Sequence, residues 1–310
     1  MTEKLDASRQ ANTQPADLTA LARQHGLALQ PATFVYNETG LDFQVIQALD
    51  ENQQPWILRL PRRPDVLARA GNEYKVLQLL QHKLPVSVPA WHIYTPALIA
   101  YPRLAGRPVA DIDMEQKQYI WHLDPENLPP AFIASLAKAL VALHAVKPEV
   151  AARADLRVSS PEQVRETMAA QMDRVKKELG VAGPLWQQWQ AWLAEDTYWP
   201  RHTCLVHGDL QAAHILVNDT SAVTGLLDWT EAEVTDPAID FVLFLASFGE
   251  KALTDLLAQY QLAGGSTWPR MPEHIRQRQA AYGVNIALFV LESGQHDYLE
   301  MARTALGLPN

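Results

Sequence analysis

The sequence predicts an α+β fold in two lobes: a small antiparallel sheet lobe, then a larger helical lobe with one embedded hairpin. Three observations carry this. Short apolar runs bounded by turn residues crowd the first hundred positions, with one helical stripe among them. A Pro- and Gly-bearing stretch at 102–113 breaks the pattern. Beyond it, apolar residues recur at helical spacing, and strands return only around residue 215. Residues 1–101 are therefore read as the first lobe with a leading helix, 102–113 as a linker, and 114–310 as the second lobe.

The leading helix runs over 15–24, with Leu18, Leu21 and Ala22 on one face and Gly26 as its terminal cap. Strands are expected at 34–36, 41–49 and 56–60, joined by polar turns. Residues 65–84 read as a helix striped by Leu67, Ala70, Tyr74 and Leu77. Two short strands, 91–94 and 97–101, complete the sheet. In the second lobe 130–144 is amphipathic, through Ile133, Leu136, Leu140 and Leu143. Ser160-Pro161-Glu162-Gln163 is a capping box that opens a helix to about 179. Trp186, Trp189 and Leu193 stripe the next helix, and Asp236-Pro237 caps another. Further helical segments are expected at 250–263, 272–291 and 295–306.

The most informative stretch is His207-Gly208-Asp209-Leu210-Gln211-Ala212-Ala213-His214, followed by Gly225-Leu226-Leu227-Asp228-Trp229. The apolar runs 215–217 and 223–227 read as a hairpin closed by Asn218-Asp219-Thr220-Ser221. A hairpin symmetric about residue 221 sets Val217 opposite Gly225 and His214 opposite Asp228. Directly opposed residues have Cβ atoms about 4.5–5.5 Å apart, close enough to share one metal ion. Asp209 lies just upstream, in the loop that enters the hairpin. A lone base beside a two-ligand metal clamp is how an enzyme aims a hydroxyl at a phosphoryl group.

Composition narrows the partners. The chain has 310 residues, an apolar fraction of 48% and a formal net charge of −9. Such acidity argues against nucleic acid or anionic membrane as a main partner. Cys204 is the sole cysteine, in an apolar strand-like setting, which favours a reducing compartment over a disulfide framework. Residues 1–14 have no apolar signal core, and the longest apolar stretch, 131–146, is too short to span a bilayer. A cytoplasmic monomer is expected.

The chain resembles the aminoglycoside-phosphotransferase-like branch of the protein-kinase fold, and more narrowly the macrolide 2'-phosphotransferases. The residues that carry this are Asn37-Glu38-Thr39-Gly40-Leu41-Asp42, Trp56-Ile57-Leu58-Arg59-Leu60-Pro61-Arg62-Arg63, His207-Gly208-Asp209 with His214, and Leu227-Asp228-Trp229-Thr230-Glu231-Ala232. Gly249-Glu250 and Trp268-Pro269 fit as well. The likeness spans about residues 18–306. It implies a protein-kinase-like two-lobe fold and transfer of the γ-phosphate of GTP, or of ATP, to the 2'-hydroxyl of a macrolide amino sugar.

It also implies roles. Asp209 matches the catalytic carboxylate, and Asp228 the metal-binding one. His214 stands where the wider fold has Asn; Mg²⁺ is the expected ion, and an imidazole ligand would tolerate Mn²⁺. Arg59 fills the usual Lys position, with a fork of donors for phosphate oxygens, and Glu73 matches its helix partner. Gly40 belongs to a phosphate-covering loop, and Ala100 and Tyr101 to the segment that reads the nucleobase. His207 and Asp240 match residues that brace the catalytic loop. Macrolides carry a dimethylamino group beside the acceptor hydroxyl, for which Glu231 and Asp236 are candidate carboxylates. Tyr282 and Phe289, on one stripe of the expected 272–291 helix, either line an apolar acceptor site or pack in the core. An aminoglycoside or other small-molecule hydroxyl kinase of the same fold, a silent nucleotide-binding module and a metallohydrolase built on His207, Asp209 and His214 remain open at this point.

Overall fold

The computed structural model describes residues 15–37, 42–113, 116, 118–294 and 298–309. Two compact units are present, Met1–Ala70 with Pro89–Leu104, and Gly71–Val88 with Ala105–Asn310. The boundary between Leu104 and Ala105 falls within the expected 102–113 linker, while residues 71–88 belong to the second unit.

In the first unit, helix α1 (Pro15–Gln24) precedes strands β1 (Val35–Asn37), β2 (Phe43–Leu49) and β3 (Pro55–Pro61). Helix α2 (Val66–Leu80) begins in this unit and ends in the second. Strands β4 (Ile93–Tyr94) and β5 (Ile99–Pro102) complete an antiparallel sheet of order β1-β2-β3-β5-β4. Alternation along β3 works as the sequence suggests: Trp56, Leu58 and Leu60 enter a core with Leu18, Ala22, Ile46 and Ala100. Arg59, on the other face, lies buried with its guanidinium 4.2 Å from the Phe43 ring centroid. The β2–β3 turn is closed by Asp50, whose carboxylate accepts from Asn52 N, Gln54 N and Trp56 Nε1.

The second unit holds β6 (Arg107–Pro108), β7 (Ala110–Asp113), β8 (Gln118–Trp121), α3 (Pro130–His144), α4 (Pro148–Arg153), α5 (Pro161–Glu178) and α6 (Gly183–Ala194). It continues with β9 (Cys204–Val206), β10 (Ile215–Val217), β11 (Val223–Leu226) and β12 (Glu233–Thr235). It ends with α7 (Ile239–Leu262), α8 (Met271–Ala280), α9 (Gly283–Ser293) and α10 (Leu299–Ala305). Helices α5, α6, α9 and α10 close a core rich in tryptophan, with Trp189 and Trp192 fully buried. The Ser160 capping box forms: Ser160 N donates to Gln163 Oε1, and Gln163 N to Ser160 Oγ.

Several expectations need correction. The 102–113 stretch is largely strand: β6 joins the hairpin in the order β11-β10-β6, and β7 pairs with β8. Gly106 permits this close approach, since a Cβ there would sit 2.5 Å from Thr224 Oγ1 and 2.9 Å from the Val217 carbonyl oxygen. Strands are not confined to the hairpin, because β9 and β12 form a second antiparallel pair. The expected helix at 250–263 is the later part of α7, which passes through a non-helical Gly249. The expected 272–291 helix is two helices. Ala281 and Tyr282 separate α8 from α9, and Gly283 lies so close to α10 that a Cβ would be 2.9 Å from the Ala305 oxygen.

The hairpin register is also one residue off. Ile215 faces Leu226 and Leu216 faces Gly225, with an irregularity before Val217, which faces Val223. The Asn218 carboxamide accepts from Thr220 N and Ala222 N, and Asn218 N bonds the Ala222 oxygen. The loop therefore closes over five residues, with Ser221 left-handed (φ 62°), where the sequence suggested four. His214 sits across from Leu227, whose N–H bonds the His214 oxygen, rather than from Asp228.

Candidate active site

The site is built on the loop between β9 and β10. Gly208 turns the chain with φ 86°, and a Cβ there would lie 2.5 Å from the Glu231 oxygen, so only glycine fits. The turn presents two backbone N–H groups to one carboxylate. His207 N donates to Asp240 Oδ2 at 3.0 Å and Gly208 N to Asp240 Oδ1 at 2.9 Å. Asp240 lies in the first turn of α7, fully buried, and also meets His144 Nε2 at 3.0 Å. Burial pushes this carboxyl up, but the bond to His144, the neighbouring imidazoles and the Gly208 N–H outweigh it and hold it below the usual carboxylate range.

His207 is a brace. Its ring is fully buried 4.5 Å from the Trp229 ring, with Nε2 on the Leu227 oxygen at 2.9 Å and Nδ1 accepting from Asp209 N at 3.3 Å. Burial pushes its pKa down, and the carbonyl at Nε2 with the N–H at Nδ1 selects the Nε2–H tautomer. One imidazole thus ties the loop that carries Asp209 to the exit of β11.

Three side chains gather beyond this brace. His214 Nδ1 bonds the Asp209 backbone oxygen at 2.9 Å and lies 3.6 Å from Asp209 Oδ2. Since Nδ1 faces a carbonyl it carries the hydrogen, and Nε2 keeps its lone pair. Nε2 faces Asp228 Oδ2 at 3.9 Å. Asp228 is left-handed (φ 58°), and its Oδ1 accepts from Thr230 Oγ1 at 2.6 Å. The strained backbone aims Oδ2 at the imidazole. Two lone-pair donors facing each other repel unless a cation lies between them, so the donor set fits a small divalent ion. Among the described residues no three His, Cys, Asp or Glu side chains form a ready cage.

Around Asp209 stand residues the sequence reading missed. Gln211 Nε2 reaches Asp209 Oδ2 at 3.3 Å and His214 Nε2 at 3.4 Å, and Gln211 Oε1 accepts from Tyr119 Oη at 3.0 Å. Tyr119 packs on Trp121, which packs on Phe248. These escaped notice because β7 and β8 fell in and after the presumed linker. The strand-favouring run Tyr119-Ile120-Trp121 was the available signal.

The remaining candidates stand in differing surroundings. Tyr282 is 37% exposed. Crowding of its phenol, followed by the charges of Asp209 and Glu231, pushes its pKa up to about 12, so it lies near the site. Glu231 is exposed. Phe289 is half-buried against Tyr298 and belongs to the packing of α9. Asp236 is not open to a ligand: it is fully buried, meets His274 Nε2 at 2.6 Å, bonds Arg278 Nε and caps Ala238 N at 2.9 Å. Arg59, Ala100 and Tyr101 lie in the first unit, all three buried, the last two on β5. Glu73 is fully buried on α2. Gly40 lies outside the described residues.

The sequence profile described as "Phosphotransferase enzyme family" matches residues 33–274. The chain belongs to the phosphotransferase enzyme family. It is a phosphotransferase with a hydroxyl acceptor, on a kinase-like α+β fold. This phosphotransferase is 47% identical over 292 residues to the uncharacterised protein YcbJ of Bacillus subtilis (strain 168), covering 94% of this chain and 95% of that one. Among solved structures it resembles the apoenzyme of macrolide 2'-phosphotransferase MphH from Brachybacterium faecium. The TM-score is 0.88 and the identity 39%, over 95% of this chain and 98% of that one. A type I macrolide 2'-phosphotransferase is equally similar, with TM-score 0.88 and 38% identity over 99% and 100% of the two chains. No described helix of the phosphotransferase is long and apolar enough to cross a membrane.

Proposed function

We propose that this phosphotransferase moves the γ-phosphoryl group of a nucleoside triphosphate, GTP before ATP, to the 2'-hydroxyl of a macrolide amino sugar, and so confers resistance to the drug. The observation that carries the reading is near-full-length similarity, at 38–39% identity, to two macrolide 2'-phosphotransferases. A histidine at position 214, whose Nε2 faces Asp228 Oδ2 at 3.9 Å, supports it.

In this reading Asp209 accepts a hydrogen bond from the acceptor hydroxyl and takes its proton as the new P–O bond forms. The β–γ bridging bond breaks, leaving nucleoside diphosphate and the sugar phosphate. Little base strength is needed, because the transition state is loose. His214 Nε2 and Asp228 Oδ2 would hold Mg²⁺, which offsets phosphate charge when bound. Arg59 supplies a fixed cation for phosphate oxygens. Glu231 supplies an exposed carboxylate near Tyr282 for the dimethylammonium group, and the Tyr282 ring an aromatic face for it.

The test is direct. Purified protein with Mg²⁺, GTP or ATP, and macrolides of each ring size should yield a drug–phosphate adduct by mass spectrometry, faster with GTP. Aminoglycosides and viomycin serve as competing acceptors. Phosphorylation of one of these, with every macrolide untouched, would overturn the acceptor assignment.

A further inference from the structure

We propose that Gln211 is a positioning residue for Asp209, and that Tyr119 holds the Gln211 amide in the one orientation that works. The inference rests on the reading of Asp209 as the base.

Gln211 stands beside a carboxylate that accepts hydrogen bonds. Its amide nitrogen is 3.3 Å from Asp209 Oδ2. A carboxamide can flip, and the flipped form would turn its oxygen toward that carboxylate. Tyr119 removes that choice. Its phenol donates to Gln211 Oε1 at 3.0 Å. Donors therefore run in one direction, from Tyr119 to Gln211 to Asp209.

Tyr119 is itself fixed. Its ring lies 5.0 Å from Trp121, which lies 5.4 Å from Phe248. Phe248 immediately precedes the non-helical Gly249 of α7. The β7–β8 hairpin and the bend in α7 thus meet at this ring contact. By engaging Oδ2 of Asp209, the chain of bonds restrains carboxylate rotation and leaves Oδ1 for the acceptor hydroxyl. Gln211 itself is only half-buried, so its loss opens no core cavity.

The test is a double-mutant cycle read by steady-state kinetics. Tyr119→Phe and Gln211→Ala should each lower kcat about tenfold, since misplacement of a reacting group costs up to about a hundredfold. KM for nucleotide and acceptor should change by less than about twofold. The double variant should be no slower than Gln211→Ala, because Tyr119 acts through Gln211. Gln211→Glu keeps the shape and the bond from Tyr119 but cannot donate to Asp209, so it should be as slow as Gln211→Ala. Unchanged kcat in either single variant, multiplied losses in the double variant, or an active Gln211→Glu would overturn the proposal. Hydrolysis of the nucleotide by water gives the same cycle without an acceptor. Failure on macrolides with an intact hydrolysis pattern would then count against the acceptor assignment alone. A parent protein with neither activity would overturn both.

Discussion

Two acid–histidine clusters in the second unit look alike in sequence and differ in every physical respect. One is Asp209, His214 and Asp228, with gaps of 3.6 and 3.9 Å between imidazole nitrogens and carboxylate oxygens, and carboxylates 30% and 42% exposed. The other is Asp236, His274 and Arg278, where the acid and imidazole meet at 2.6 Å and both are wholly buried. In the second cluster every partner is supplied by the chain: Trp192 Nε1 donates to His274 Nδ1, and Ala238 N to Asp236. In the first, lone pairs face one another across space. A cluster whose polar groups satisfy each other stabilises the fold, and one whose groups converge without closing is arranged for a ligand.

The contrast is broken most severely at Asp209. Asp209→Ala should lower kcat by about 10²–10⁴-fold while the melting temperature barely moves. A large loss of stability, or retained turnover, would erase the distinction. Asp236→Ala should do the reverse. Removing one partner from a buried pair leaves Arg278 uncompensated, for a cost of about 3–5 kcal/mol in chemical denaturation. Properly folded protein should keep its kcat.

A smaller effect is expected at His214. His214→Asn exchanges imidazole for a hard oxygen donor, and should weaken activation by Mn²⁺ relative to Mg²⁺ by about tenfold in metal titrations. Equal loss with both ions would argue that the ring is only a brace.

Acid separates the clusters more gently. Burial first, despite the Asp236 charge, lowers the His274 pKa below the ordinary value of about 6.5. The unfolded chain therefore takes up that proton first, and stability declines as pH falls below about 6.5. Burial would raise Asp236, but Arg278 and His274 hold it well below the usual carboxylate range. Its contribution is full above about pH 3.9 and is lost as pH falls through that value toward its folded pKa. Thermal melts from neutral to acid pH should show both declines, and Asp236→Asn should remove the lower one.

Much of this was legible because local rules agreed with tertiary demands. Alternation in β3 separates Arg59 from Trp56, Leu58 and Leu60, and the Ser160 box starts α5 where capping chemistry requires. The pattern around residue 207 names Asp209, His214 and Asp228 before any coordinates. Burial was not legible: nothing in Asp236-Pro237 reveals that Arg278, forty-two residues on, neutralises that carboxylate. The hairpin register depended on one Asn218 carboxamide enclosing an extra residue. The split between α8 and α9 turned on how near Gly283 comes to Ala305. Tyr119 was hidden for a related reason, since β7 and β8 are short and largely exposed and each defines the other only by pairing.

The single cysteine has a practical consequence. Cys204 is sealed inside β9, and burial, with Asp240 and Asp236 nearby, pushes its thiol well above the ordinary value. Maleimide dyes attack thiolates at accessible positions, so the native chain is silent toward them. A cysteine placed at exposed Val35 or Ile120 would then be the sole site of labelling, giving a clean background for fluorescence or spin probes without removing any native residue.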